Sequence, residues 1–205
     1  MKSEPKFSGT SKMPCKSWSL PAIETCPGSV GKDGSLVPAC RSCYATKNFY
    51  KMEPAKNLRA HNLADWKRAG WVEAMVQEIQ KKKFFRWFDS GDIYDPLLAK
   101  KIFLVCYLTP TVIHWIPTRS FKIPAIALEL KELELLHNVV VRKSSDSTTG
   151  ETIKGKNTST ILQSSKDFKP KMGSVLCRAF ERSGKCGKCR ACWNPKVEVV
   201  YYVEH

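Results

Sequence analysis

Two sets of four cysteines, one near each end of the chain, constrain this sequence more than any other feature. The first set is Cys15, Cys26, Cys40 and Cys43, and the second is Cys177, Cys186, Cys189 and Cys192. The ninth cysteine, Cys106, lies inside an apolar run. Four thiolates satisfy one zinc ion or one cubane iron–sulfur cluster. The sequence therefore predicts two metal or cluster sites.

The spacing of the second set favours iron–sulfur clusters. Cys186, Cys189 and Cys192 follow one another at three-residue steps, and the fourth cysteine is remote. That pattern is similar to bacterial ferredoxins, whereas zinc sites usually draw on two separated pairs. A cubane also spreads its ligands more widely than a single zinc ion does. We therefore predict two [4Fe–4S] clusters, with zinc as the alternative and disulfides or free thiols as a third possibility.

The start of the chain and its apolar runs indicate a compartment in which thiols stay reduced. Residues 1–12 are polar and lack the apolar core of a secretory signal. The longest apolar run, residues 102–108, is too short to span a membrane. We expect a soluble, cytoplasmic protein with no membrane partner, whose cysteines remain available to metals.

The chain is strongly basic, with 34 Lys and Arg against 19 Asp and Glu and a formal net charge of +15. Nine of these basic residues lie between positions 166 and 196, where the only acidic residues are Asp167 and Glu181. A basic face beside a cysteine site predicts an anionic partner, either RNA, DNA or a host protein. The alternative is a basic surface that only interacts with solvent.

The middle of the chain alternates between helical and strand patterns. Helices are predicted over 54–83 (divided at Gly70), 92–107 and 124–136, and strands over 84–88, 112–116 and 139–141. A loop over 144–160, short strands near 160–163 and 174–176, and a final strand over 197–203 follow. This order predicts an α/β fold with a parallel sheet. We expect one domain over 1–205, comprising a flexible N-terminus (1–12), the first cysteine site (13–53), the α/β core (54–165) and the C-terminal cysteine site with the final strand (166–205).

Polar residues follow each of the three central strands. They are Asp89, Ser90, Gly91 and Asp92 after the first, Thr118, Arg119 and Ser120 after the second, and Arg142, Lys143, Ser144, Ser145 and Asp146 after the third. Binding sites of parallel α/β folds form at the carboxyl ends of strands, so these residues are candidates for a site. Ordinary turn chemistry is the alternative.

Other conspicuous residues are predicted to be structural. His61 and His114 are expected to pack or hydrogen-bond rather than bind metal, and Cys106 is expected to be a buried core thiol. The tryptophans are expected to lie mostly in the core. Trp193, beside Cys192, is expected to shield a cluster, with base stacking as the alternative.

An ordered set of short motifs resembles the phage protein family called gene product 88. The motifs are K-M-P-C-x-S-x-S-L-P-A (12–22), T-C-P-G-S (25–29), C-x-x-C-Y-A (40–45), F-R-W-F-D-S-G-D (85–92), W-I-P-T-R-S (115–120) and the closing C-x2-C-x2-C. They are spread over most of the chain. The resemblance implies a phage or prophage origin, and hence the host cytoplasm as the location.

A more distant resemblance is to radical S-adenosylmethionine enzymes. Those enzymes hold a [4Fe–4S] cluster with three cysteines, the last often followed by an aromatic residue, as in Cys26, Cys40 and Cys43-Tyr44. Their glycine-rich segment and their later strand ends are similar to Ser90-Gly91-Asp92, Thr118-Arg119 and Ser144-Ser145-Asp146. The resemblance implies a partial (β/α) barrel-like sheet between cysteine-rich ends. It also implies that Tyr44 and these strand-end residues bind S-adenosylmethionine at the open iron.

The role of Cys15 decides between two functions. The spacing here is C-x13-C-x2-C, where the enzymes have C-x3-C-x2-C, and Cys15 is available as a fourth ligand. Three ligands leave one iron open for the cofactor, whereas four favour an electron-transfer or structural cluster. The first case predicts a phage-encoded radical enzyme with an anionic or nucleic-acid-linked substrate. The alternative is a non-enzymatic iron–sulfur or zinc-stapled protein that binds nucleic acid or a host factor.

Overall fold

The computed structural model describes residues 4–9 and 12–204. The strands are β1 (Ser8–Gly9), β2 (Lys16–Trp18), β3 (Phe84–Trp87), β4 (Ile113–Thr118), β5 (Val139–Ser144), β6 (Thr158–Leu162), β7 (Ser174–Leu176) and β8 (Val199–Val203). The α-helices are α1 (Pro38–Arg41), α2 (Glu53–Asp65), α3 (Trp71–Ile79), α4 (Pro96–Tyr107) and α5 (Pro124–Leu135). Short 3-10 helices lie at Pro27–Ser29, Tyr44–Thr46, Asn48–Lys51, Ser120–Lys122, Ser165–Asp167, Arg178–Arg182 and Ala191–Trp193. No helix in these described residues has the length and hydropathy of a membrane span.

All eight strands form one sheet in the order β1-β2-β3-β4-β5-β6-β8-β7. Every pairing is parallel except that of β1 with β2. The fold is therefore mixed α/β with a mostly parallel sheet, which confirms the predicted class. The barrel-like closure stays a prediction, because the pairings among the described residues form an open row from β1 to β7.

Strands β2 to β6 are neighbours in chain order, and helices connect β2 through β5. Right-handed crossovers between successive parallel strands place their helices on one face of the sheet. The buried side chains agree, since Trp87 of β3, Ile116 of β4 and Val141 of β5 share one apolar cluster with helix residues. The other face is left for different parts of the chain to cover.

Local signals explain where the helices begin and end. A proline occupies the first turn of α1, α2, α4 and α5, where its missing N–H costs nothing. Gly70, with φ +77°, separates α2 from α3 and confirms the predicted division. Helix α4 begins at Pro96 rather than at the predicted Asp92. The reason is that the Asp95 carboxylate accepts a hydrogen bond from Leu97 N (2.8 Å) and caps the helix there.

The N-terminal strands were missed by the sequence analysis. β1 and β2 contain two and three residues, too few to display an alternating pattern. The flexible N-terminus expected over 1–12 stays a prediction. Of that segment the structure describes residues 4–9 and 12, and Ser8–Gly9 pairs with Lys16–Ser17.

The core confirms the structural assignments of several conspicuous residues. All six tryptophans are buried, and Cys106 is buried in the helix-side apolar cluster. Trp193 belongs to a separate group on the opposite face, where its ring lies 5.0 Å from that of Trp115. Because Trp193 is buried, its ring is not available to stack on a base.

His114 is a buried packing residue, as predicted. Its Nδ1 accepts a hydrogen bond from Trp87 Nε1 (3.3 Å), and its Nε2 lies 3.0 Å from Thr109 Oγ1. The Thr109 hydroxyl donates to Val105 O (2.7 Å), so the threonine oxygen is left to accept from His114 Nε2. These hydrogen bonds fix the neutral tautomer that carries its proton on Nε2, and burial lowers the pKa of His114 to about 3.

The buried neutral histidine predicts a loss of stability in mild acid. The unfolded chain takes up a proton at His114 near its ordinary pKa, whereas the folded chain does not, so stability falls as pH falls. We expect a loss of about 2 kcal/mol between about pH 7 and about pH 5, measured by urea unfolding. The His114→Gln variant should lose most of that dependence. A matched variant at the exposed His137, His137→Gln, should keep it, and equal behaviour of the two variants would contradict the assignment.

Candidate functional site

The loop that carries Cys26 is packed on the carboxyl ends of β3 and β4. Asp92 N donates to Thr25 O (3.1 Å), which joins the loop to the segment after β3. Gly28 lies so close to the backbone of Arg119 that a Cβ at this position would overlap the Arg119 carbonyl. These contacts hold Cys26 over the strand ends.

Cys40 and Cys43 are brought to the same edge by α1 and the turn after it. Ala39 N donates to Asp146 O (2.9 Å) after β5, and Cys43 N donates to Cys40 O (3.3 Å). Tyr44 Oη donates to Asp89 O (2.6 Å) at the end of β3. The three thiols therefore lie on segments fixed to the ends of three successive strands.

Burial dominates the electrostatics of these thiols. Burial raises the pKa of Cys26 to about 12, and the charges of Asp92, Cys40 and Cys43 act in the same direction. Burial also raises the pKa of Cys40, while the Arg119 guanidinium opposes that change. Because metals bind thiolates, loading this group would release protons.

All eight candidate cofactor-binding residues lie at the carboxyl edge of β3, β4 and β5. They are Tyr44, Ser90, Gly91 and Asp92 at β3, Thr118 and Arg119 at β4, and Ser144 and Asp146 at β5. Gly91 has φ +77°, and a Cβ there would lie 2.6 Å from Thr25 Oγ1, so this turn requires glycine. Ser90 Oγ donates to Leu20 O (2.8 Å). The structure thus brings the predicted set to one place.

These residues differ in whether their polar groups already hydrogen-bond within the protein. Both Asp92 oxygens accept backbone N–H groups, from Ile93 (2.7 Å) and Arg119 (2.8 Å), so this buried carboxylate joins two strand ends. Arg119 Nη2 donates to Ser145 O (2.9 Å), and Thr118 Oγ1 accepts from Ser120 N (2.9 Å).

Asp146 differs from Asp92 because it is partly exposed and paired with cations. Its carboxylate lies 3.6 Å from Arg119 Nε and 2.8 Å from Lys122 Nζ. The accessible charges at this edge are therefore those of Arg119, Lys122 and Asp146.

The four C-terminal cysteines line a single small pocket. Cys177, Cys186, Cys189 and Cys192 meet there, and the floor includes Trp193 and Val200. Cys192 Sγ lies 3.1 Å from Tyr202 Oη on β8. Burial raises the pKa of Cys192 to about 11, while the Tyr202 hydroxyl and the Arg142 guanidinium oppose that change.

Arg142 of β5 anchors this cysteine segment to the sheet. Its fully buried guanidinium donates to four carbonyl oxygens, those of Thr158 (3.1 Å), Ala191 (3.2 Å), Val197 (3.2 Å) and Asn194 (3.4 Å). Beside it, Trp193 Nε1 donates to Phe85 O (3.0 Å). The C-terminal segment therefore covers the face of the sheet opposite the helices.

Cys15 lies apart from Cys26, Cys40 and Cys43. It comes at the amino end of β2, whereas Cys26 follows the carboxyl end of that strand. Its neighbourhood is the C-terminal segment, since Cys186 N donates to Lys12 O (2.8 Å). Burial raises the pKa of Cys15 to about 11, and among nearby charges Arg86 opposes the change while Cys186 adds to it. The thiols thus assemble as three at one edge and five around the C-terminal segment.

The donor chemistry of both groups suits a thiolate-bound metal. Within residues 4–9 and 12–204, no three His, Cys, Asp or Glu side chains are arranged to surround a single metal ion. Soft thiolates are the ligands of zinc and of iron–sulfur clusters. In donor type the thiols suit zinc or an iron–sulfur cluster, with three at the carboxyl edge and four lining the C-terminal pocket.

The sequence analysis missed Arg86, and it placed Asp89 and Arg142 at strand ends without giving them a role. Arg86 interrupts an aromatic strand, and Arg142 follows three valines, so each places a charge where a buried strand should be apolar. Asp89 accepts hydrogen bonds from Ser19 Oγ and from Tyr50 Oη (3.2 Å). For Arg86 and Arg142, the signal available in the sequence was a charged residue within an otherwise apolar strand.

Comparison with known proteins identifies the family. Searches of curated proteins and of solved structures found no match to this chain. A family model described as gene product 88 matches residues 2–195, which include all nine cysteines. The chain therefore belongs to the gene product 88 family, as its ordered motifs predicted.

Proposed function

We propose that this phage-family protein is a radical S-adenosylmethionine-like iron–sulfur enzyme of the host cytoplasm. Cys26, Cys40 and Cys43 would hold a [4Fe–4S] cluster with one open iron, and the C-terminal cysteines would hold a second cluster. The observation that carries the proposal is the position of Cys15, which lies beside Cys186 and leaves three thiols at the strand ends. When bound, such a cluster supplies the electron for reductive cleavage of S-adenosylmethionine.

The strand-end residues would orient the cofactor. Arg119 and Asp146 offer a cation and an anion for the carboxylate and amino groups of its methionine part, and they now pair with each other at 3.6 Å. Asp92 would act indirectly, because both of its oxygens hold backbone N–H groups. Tyr44, half exposed and anchored to Asp89 O, would keep Cys43 in place.

The surface charge supports an anionic or nucleic-acid-linked substrate. Eight of the nine basic residues between positions 166 and 196 are exposed; they are Lys166, Lys169, Lys171, Arg178, Arg182, Lys185, Lys188 and Lys196. The same surface supports a second candidate, a non-enzymatic protein that binds RNA or DNA. That binding would weaken steeply with salt, as counterion release requires.

Metal analysis with a cofactor titration tests the proposal. Protein purified without oxygen should contain about eight iron and eight sulfide per chain, as two cubanes require. Addition of S-adenosylmethionine should change the electron paramagnetic resonance (EPR) spectrum of one reduced cluster, and a strong reductant should then cleave the cofactor slowly.

Two results would contradict this function. Stoichiometric zinc without sulfide, in protein never exposed to oxygen, would exclude the iron–sulfur assignment. If S-adenosylmethionine changes the EPR spectrum of neither cluster and the protein binds RNA or DNA in a salt-sensitive way, the non-enzymatic binding protein is favoured. Cys106→Ala is the control variant, because this buried thiol lies in the helix-side core and should not affect metal content.

A further inference from the structure

Arg86 occupies the face of the sheet that the C-terminal segment covers. Along β3, Phe85 and Trp87 enter the helix-side core, so Phe84 and Arg86 point to the opposite face. There the Arg86 guanidinium lies 4.6 Å from the centre of the Trp115 ring, and Trp115 packs on Trp193. Arg86 is thus a half-buried cation between the sheet and the cysteine segment.

One end of this guanidinium reaches the three-thiol group. Arg86 Nη2 donates to Tyr44 Oη (3.3 Å), and Tyr44 directly follows Cys43. The same hydroxyl donates to Asp89 O (2.6 Å), which keeps Tyr44 at the end of β3. Arg86 is therefore one side chain away from the thiols that would hold the cofactor's cluster.

The other end of the guanidinium lies on the side of the C-terminal segment. Arg86 Nη1 donates to Met13 Sδ (3.5 Å), and the preceding Lys12 O accepts from Cys186 N (2.8 Å). On the same side, Trp193 packs on the Trp115 ring beside this guanidinium and lines the pocket of the four C-terminal thiols. Arg86 Nε is buried and has no hydrogen-bond partner within the described residues. A buried donor left without an acceptor suits an anionic group nearby.

We propose that Arg86 is a cation shared by the two cysteine sites, which raises the reduction potentials of the clusters at both. This inference rests on the proposed function for the presence of the clusters. Each electron that enters a cluster adds negative charge, and a nearby cation stabilises the reduced form.

Redox titration of charge variants tests the proposal. In anaerobically purified protein, Arg86→Gln should shift the midpoint potentials of both clusters to lower values. Arg86→Lys keeps the charge and should restore most of both shifts. EPR spectra recorded at each potential report the two clusters separately.

Arg119→Gln is the matched control, because Arg119 acts on Cys40 at the three-thiol edge. It should shift the potential of that cluster only. Unchanged potentials in Arg86→Gln, or a shift of one cluster alone, would overturn the shared role. If Arg86→Gln loses its clusters, Arg86→Lys decides: wild-type clusters and potentials support the proposal, and loss of either cluster contradicts it.

The same samples separate this inference from the proposed function. S-adenosylmethionine is added to the wild-type protein and to each Arg86 variant. If S-adenosylmethionine leaves the EPR spectra unchanged but Arg86→Gln lowers both midpoint potentials, the enzyme is refuted and the shared role of Arg86 is supported. A cofactor response without shifts in the potentials would support the enzyme and refute the shared role of Arg86.

Discussion

Replacement of Arg142 by methionine is expected to lower the free energy of unfolding by about 3–5 kcal/mol. Methionine fills the space of the arginine stem but donates no hydrogen bonds. Four carbonyl oxygens, from Thr158, Ala191, Asn194 and Val197, would lose a charged donor in a buried region. Urea unfolding followed by tryptophan fluorescence measures the loss, because Trp193 lies on the segment that Arg142 anchors.

Arg178→Met is the matched control for this prediction. Arg178 lies in the same cysteine segment, but its side chain is 59% exposed and pairs with Glu181 at 2.9 Å. Exposed ion pairs contribute up to about 1 kcal/mol, so this variant should remain close to wild type. If the two substitutions cost the same, Arg142 does not anchor the segment in the way described.

Replacement of Cys26 by serine is expected to remove about half of the iron and sulfide, together with the whole response to S-adenosylmethionine. The reason is that Cys26 belongs to the three-thiol group, in which each ligand is needed. Replacement of Cys15 by serine should leave the response intact, because Cys15 lies at the amino end of β2 beside Cys186. Iron and sulfide analysis and EPR spectra of the reduced variants measure both effects.

The comparison of Cys15 with Cys26 has a clear contrary outcome. A Cys15→Ser variant that loses the cofactor response would place Cys15 among the ligands of the first cluster. An unaltered response in Cys26→Ser would show that the cofactor is bound elsewhere.

Much of the fold could be predicted because its elements are long enough to show a period. Each helix and strand predicted between 54 and 141 is present in the structure, although α3 ends and α4 begins several residues inside the predicted bounds. The segment after β3 carries the glycine turn at Gly91 that the site requires. Their order fixed the parallel sheet, and parallel strands bring their carboxyl ends together. Hence the gathering of residues from Ser90 to Asp146 could be predicted from the chain alone.

The position of Cys15 could not be predicted, because spacing along the chain does not reveal a strand of three residues. Lys16–Trp18 places the thiols before and after it at opposite ends of β2. The roles of Arg86 and Arg142 were hidden for a related reason. Each depends on segments distant in sequence that meet only when the C-terminal residues cover the sheet.

The dependence of the cysteine segments on later strands has a consequence for synthesis in the cell. Thr25 O accepts from Asp92 N, and Asp146 O accepts from Ala39 N, so the three early thiols are not all held in place until β5 has left the ribosome. The C-terminal pocket is translated last and packs on strands that are already made. Any cluster taken up by these thiols must therefore be delivered to a nearly finished chain, and a nascent chain released early would expose unprotected cysteines to oxidation and foreign metals.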